Sequence, residues 1–100
     1  MTLVKDESIL ALLDRLQLTS RRWAVVDHWE ADLFAVGIAH HDDPRRLVYV
    51  STWNKPVGRY YFDCETPTSD DPLDYESHEV EDADFETLVA AMEAHLRPRA

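Results

Sequence analysis

The fold is decided by residues 46–64, which read RLVYVSTW-NKPVG-RYYFDC. Two runs rich in strand-forming residues, 46–53 and 59–64, flank a five-residue turn that contains Pro56 and Gly58. Because a parallel crossover needs a dozen or more residues, a turn this short requires the two runs to pair as antiparallel strands. The sheet of this chain is therefore predicted to be mainly antiparallel.

The strand pattern continues on both sides of this hairpin. Residues 23–29 and 33–40 are predicted strands, and the turn at 41–45 leads from the second of them into the hairpin. After an acidic loop at 65–72, residues 73–80 form a weaker fifth strand whose acids are typical of a sheet edge. The sheet is thus predicted to have four to five strands.

A helix is predicted at each end of the chain. Apolar residues recur at helical spacing over residues 4–18 and again over 85–96. The second helix is expected to begin after a cap at Asp82 or Asp84 and to end before Pro98. Helices at both ends should pack on the sheet and form two layers. The predicted fold is α+β, with the order α-β-β-β-β-β-α in a single domain over residues 1–100.

The net charge of −10 is concentrated in the last third of the chain. Residues 1–59 hold eight acids and eight bases, whereas residues 60–96 hold twelve acids and neither Lys nor Arg. Such a surface repels nucleic-acid phosphates and anionic membranes, so we expect neither as a partner. A basic protein is the natural electrostatic partner. An acidic surface that only keeps the protein in solution is the alternative.

The single cysteine, Cys64, excludes an intramolecular disulfide and favours a reducing compartment. Asp6, Glu7 and Asp14 interrupt the apolar pattern near the N-terminus, so no signal peptide is predicted. No apolar run approaches the roughly 20 residues that a membrane-spanning helix needs. We therefore expect a cytoplasmic protein.

Candidate binding residues fall into two groups. The first consists of carboxylates in the acidic third, and the second of aromatic residues near turns, where such side chains often anchor partners. The acids are Asp70, Asp71, Asp74, Glu76, Glu79, Glu81 and Asp82, and the aromatic residues are Trp53 and Tyr61.

No motif for catalysis, metal binding or nucleotide binding is present. Residues 40–43, HHDD, indicate a polar turn, because adjacent side chains on an extended chain point apart and zinc ligands have other spacings. Asp27 and His28 face opposite sides of their predicted strand, so they cannot act together. Asp63 would raise the pKa of the Cys64 thiol, which opposes its use as a nucleophile. We predict no catalytic residue, no metal and no cofactor.

The first three predicted strands are apolar on both sides. In the second strand, for example, Phe34, Val36 and Ile38 oppose a row of Leu, Ala and Gly residues. Three explanations are open: the helices divide between the two faces, the sheet curls around its own core, or the second face is an interface. The third explanation predicts a homodimer or a contact with another protein.

In size, acidity and helix–strands–helix order, the chain resembles the small immunity proteins that neutralise toxins. It is also similar to secretion chaperones, which are acidic and often dimeric. No sequence motif carries either resemblance. Both imply a bacterial-type, non-enzymatic protein-binding module.

Two other functions stay open. One is a small ligand-binding domain or enzyme with a pocket between sheet and helix, lined by Asp27, His28, His40 or His78. The other is a structural subunit of an assembly.

Overall fold

A computed structural model describes residues 4–27, 32–71 and 73–97. Its helices are α1 (Glu7–Leu16), α2 (Leu18–Arg21) and α3 (Phe85–His95). Its strands are β1 (Trp23–Asp27), β2 (Ala35–His40), β3 (Asp43–Ser51), β4 (Tyr60–Pro67) and β5 (Tyr75–Ala83). The α+β prediction is confirmed: a five-stranded sheet is flanked by an N-terminal and a C-terminal helix.

The sheet is an antiparallel meander with the strand order β1-β2-β3-β4-β5. The hairpin that joins β3 to β4 confirms the prediction made from residues 46–64. Its turn places Asn54 and Gly58 in the left-handed region, at φ 55° and 83°. Glycine adopts this conformation without a steric penalty, and asparagine tolerates it better than most residues do.

The predicted strand bounds are wrong in the acidic third of the chain. Both β4 and β5 extend three residues beyond their predicted C-terminal ends, to Pro67 and Ala83. Ladder pairing continues to Pro67 and Tyr75, and the hairpin then closes through the Thr68 N–H, which donates to the Asp74 carbonyl at 3.1 Å. Residues 65–67, which were predicted as part of the acidic loop, therefore lie on β4, and Glu81 and Asp82 lie on β5 beyond its predicted end.

Capping residues define the helix ends. The Asp6 carboxylate accepts from the Ser8 N–H at 2.9 Å and starts α1, and the Asp84 carboxylate accepts from the Thr87 N–H at 2.8 Å and starts α3. A left-handed residue, Gln17 at φ 50°, ends α1. The short α2 that follows was not predicted. Among the described residues, no helix is long and apolar enough to cross a membrane.

Both long helices pack on the same face of the sheet, so the two-layer prediction is confirmed. Consecutive core residues on each strand are two positions apart, which places them on one face. The helices therefore do not divide between the two faces, and this explanation of the apolar second face does not hold. The core includes Ile9, Leu12 and Leu16 of α1, Leu88 and Met92 of α3, and Val36, Ile38, Val48, Val50 and Phe62 of the sheet.

The opposite side of β3, β4 and β5 has no helix over it in the described part of the chain, and we call it the open face. Beside it, β2 presents Ala35, Gly37 and Ala39 on this side of the sheet, and all three are buried. The apolar character of this side is thus confined to the region near β2, and the side becomes acidic towards β5. The residues of the open face are Leu47, Tyr49, Ser51, Tyr61, Asp63, Glu65, Ser77 and Glu79.

Truncation of a central core residue tests this packing. Phe62 is 2% exposed, and we expect Phe62→Ala to lower the free energy of unfolding by about 3–5 kcal/mol, through lost apolar burial and a residual cavity. Urea unfolding followed by tryptophan fluorescence measures this loss. The matched control is Leu73→Ala at a residue 83% exposed, which should change stability by less than about 0.5 kcal/mol. Similar losses in the two variants would contradict the placement of the core.

Candidate functional site

Three of the predicted acids, Asp70, Asp71 and Asp74, lie in the turn between β4 and β5. The Asp71 carboxylate accepts from the Leu73 N–H at 2.9 Å, and the Asp74 carboxylate accepts from the Ser69 hydroxyl at 2.8 Å. These bonds shape the turn, as short polar side chains commonly do. Two of the three predicted carboxylates therefore have an intramolecular role.

The C-terminal end of β5 is partly neutralised by basic residues of the turn between β3 and β4. The Arg59 Nε donates to Asp82 Oδ1 at 2.9 Å, and this hydrogen bond lowers the pKa of the Asp82 carboxyl. The Lys55 ammonium donates to the main-chain oxygen of Glu81. The basic residues that these acids attract come from the electrically balanced first 59 residues.

Two acids at the centre of the β4–β5 pair have no basic partner among the described residues. Asp63 and Glu79 stand directly opposite each other on the open face, where like charges destabilise an antiparallel pair. Burial and the nearby Glu79 raise the pKa of Asp63, although hydrogen bonds from Ser77 and the His78 N–H act in the other direction. Asp63 Oδ1 is buried and accepts no hydrogen bond from the described residues. Within those residues, no ion pair includes Asp63 or Glu79.

Two tyrosine rings flank this carboxylate pair. Tyr49 lies across the ladder from Asp63, and its ring meets that of Tyr61 edge to face, with the centroids 6.0 Å apart. Burial and a hydrogen bond to Glu79 raise the pKa of Tyr61 to about 12. The Tyr61 hydroxyl therefore stays protonated at neutral pH.

The open face forms a shallow depression of about 480 Å³. Aromatic rings beside carboxylates suit a cationic side chain, which is attracted by the ring face and by the negative charge. Tyr61 and Glu79 are binding residues predicted from the sequence, whereas Tyr49 and Asp63 are not, because only the strand register brings these four together. The residues that line the depression are Tyr49, Ser51, Tyr61, Asp63 and Glu65.

The other predicted aromatic anchor, Trp53, lies away from this depression. It is 67% exposed, and its ring packs edge to face on Phe34 with the centroids 5.2 Å apart. Together they line a groove of about 640 Å³ between α1 and the turn that joins β3 to β4. The structure therefore places Trp53 and Tyr61 in different surface regions.

The polar residues considered for an enzyme pocket are not brought to one point by the described residues. His40 is buried on β2, and its Nδ1 accepts from the Asp42 N–H at 3.0 Å. His78 is exposed on β5, three strands away. His28 and the side chain of Asp27 lie outside the described residues. Neither His40 nor His78 lines the groove beside α1.

The environment of Cys64 does not favour a reactive thiol. Cys64 is half-buried, and burial followed by the charge of Asp63 raises the pKa of its thiol. A raised pKa lowers the thiolate fraction that a nucleophile requires. In the described ranges, no group of three or more His, Cys, Asp or Glu side chains is placed to hold a metal ion.

Neutralising Asp63 tests whether its charge is uncompensated. We expect Asp63→Asn to raise the free energy of unfolding at pH 7 by about 0.2–1 kcal/mol, because the substitution removes one of two like charges that face each other. Urea unfolding measures the change, and the matched control is Asp70→Asn at an exposed residue of the turn between β4 and β5, with an expected change near zero. Destabilisation by Asp63→Asn, with the control unaffected, would contradict the assignment.

The same carboxyl gives a pH dependence of known sign. Since folding raises the pKa of Asp63, the folded chain binds this proton more tightly than the unfolded chain does. The stability that comes from this raised pKa is therefore fully present below the unfolded-state pKa of Asp63, and it is lost as the pH rises through the folded-state pKa of Asp63. The stability advantage of Asp63→Asn should shrink as the pH falls from 7 towards 4. An advantage that does not change with pH would show that charge is not its cause.

Comparisons with protein families, with curated proteins and with solved structures found no match to this chain. A functional proposal therefore depends on the geometry and charge of the described residues.

Proposed function

We propose that the chain is a non-enzymatic protein-binding module that docks a basic protein on the open face of β4 and β5. One observation carries the proposal: among the described residues, Asp63 and Glu79 face each other without a basic partner, and Asp63 Oδ1 accepts no hydrogen bond. A cationic side chain from a partner would offset the repulsion between these carboxylates and would donate to the exposed carboxylate of Glu79.

The negative charge of the open face determines which class of partner can bind it. A second copy of the chain would bring the same carboxylates against each other, and nucleic-acid phosphates would be repelled in the same way. An arginine-rich or lysine-rich protein meets complementary charge and two tyrosine rings, Tyr49 and Tyr61. The proposal therefore favours a basic protein over a homodimer through this face.

The distribution of charge also supports fast association. β5 carries four carboxylates and neither Lys nor Arg, at Glu76, Glu79, Glu81 and Asp82. Complementary charge mainly raises the rate of association and rejects wrong partners. At physiological ionic strength, screening acts over about 8 Å, so added salt should weaken such an interaction.

The proposed role is of the kind that small immunity proteins and secretion chaperones perform. It is consistent with the size of the chain, its acidity and its element order. It also fits a cytoplasmic location, which the single cysteine favours. The uncompensated carboxylates identify the surface on which such a role would depend.

A defined basic peptide tests the proposal. We expect octa-arginine to bind the wild-type chain in isothermal titration calorimetry at low salt, and we expect the affinity to fall as salt is raised. The double variant Glu79→Gln/Glu81→Gln should weaken binding about tenfold, which corresponds to about 1.4 kcal/mol.

The matched control removes the same amount of charge from the helical side of the molecule. Asp14 on α1 and Glu86 on α3 are exposed, and Asp14→Asn/Glu86→Gln should change the affinity less than twofold. Equal weakening by the two double variants would show that the peptide responds to net charge alone. Absence of binding at low salt would also contradict the proposal.

A further inference from the structure

β5 is a long edge strand. It spans nine residues and pairs, within the described residues, only with β4. In an antiparallel edge strand, alternate main-chain N–H and C=O groups point away from the neighbouring strand and are open to pairing. Residues 75–79 are all exposed, so no described element covers this edge.

The opposite edge of the sheet differs in length and in cover. β1 has five residues, and α2 packs against it. Its register with β2 shifts between Val25 and Asp27, as the register of β5 with β4 shifts between Val80 and Ala83. β5 therefore offers the longer of the two edges for pairing.

The charge on β5 determines which strands it can accept. Glu79 lies on the open face, and Glu76 lies on the helix-packed face, so carboxylates flank both sides of the edge. A second β5 would place acids opposite acids, which destabilises antiparallel pairing. A strand with Lys or Arg on both of its faces would meet the opposite charge at each of these positions.

We propose that β5 is a pairing edge, to which a basic, extended segment of the partner adds as a sixth strand. The inference rests on the proposed function and specifies the form of the partner. Main-chain hydrogen bonds to residues 75–80 hold the segment, and its cationic side chains contact Glu76 on one face and Glu79 on the other. Asp82 lies beyond this stretch and is already paired with Arg59.

Backbone blocking separates strand pairing from docking by charge alone. The probes are octa-arginine and the same peptide with its four central amides N-methylated, which keeps the charge but removes hydrogen-bond donors. We expect the methylated peptide to bind the wild-type chain at least tenfold more weakly in calorimetry. We also expect unmodified octa-arginine to slow hydrogen exchange at alternate main-chain amides of residues 75–80.

The outcomes distinguish the two proposals. Equal binding of both peptides, without slowed exchange on β5, would overturn strand pairing and leave the proposed function intact. Binding of neither peptide at low salt would overturn both. A methyl group disturbs the peptide itself as well as its donors, so the exchange pattern on β5 is the second, independent readout. Slowed exchange confined to Tyr49 and Tyr61 would place the peptide on the open face and would overturn the edge proposal.

Discussion

Burial of two helices against one face of a single sheet is the constraint on which the rest of the structure depends. Leu12 and Leu16 of α1 and Leu88 and Met92 of α3 need an apolar surface, and the sheet offers Phe62 and its neighbours on one side. Because both helices occupy that side, the other side of β3, β4 and β5 remains without a helix in the described residues. The position of the candidate site follows from this packing.

Charge on the uncovered side is distributed unevenly. Basic residues contact both ends of β5. Arg59 pairs with Asp82 at its C-terminal end, and Arg45 donates to the Asp71 carbonyl in the turn before its N-terminal end. At the centre, Asp63 and Glu79 have no such partner among the described residues. A protein can retain an unfavourable arrangement of this kind where function requires it, at some loss of stability. Under the proposed function, the same carboxylates would destabilise the free chain and attract a basic partner.

Much of the fold could be predicted from the sequence, because helical periodicity and short turns are local signals. The site could be predicted only in part. Tyr61 and Glu79 were identified as candidates by type, but Asp63 became one only when the register placed it opposite Glu79. Trp53 was grouped with Tyr61 because both lie near turns, and the structure places them apart. The extension of β5 to Ala83 was also hard to predict, because Glu81 and Asp82 have a low strand preference. Pairing with β4 outweighs that preference.

The carboxylate of Asp63 is held in an unfavourable environment, whereas that of Asp82 at the end of β5 is paired with Arg59. Carbon-detected NMR titration of the individual side-chain carboxyls measures this difference. We expect Asp63 to titrate above the range usual for aspartate and Asp82 to titrate below it. A pKa of Asp63 at or below that of Asp82 would contradict this expectation.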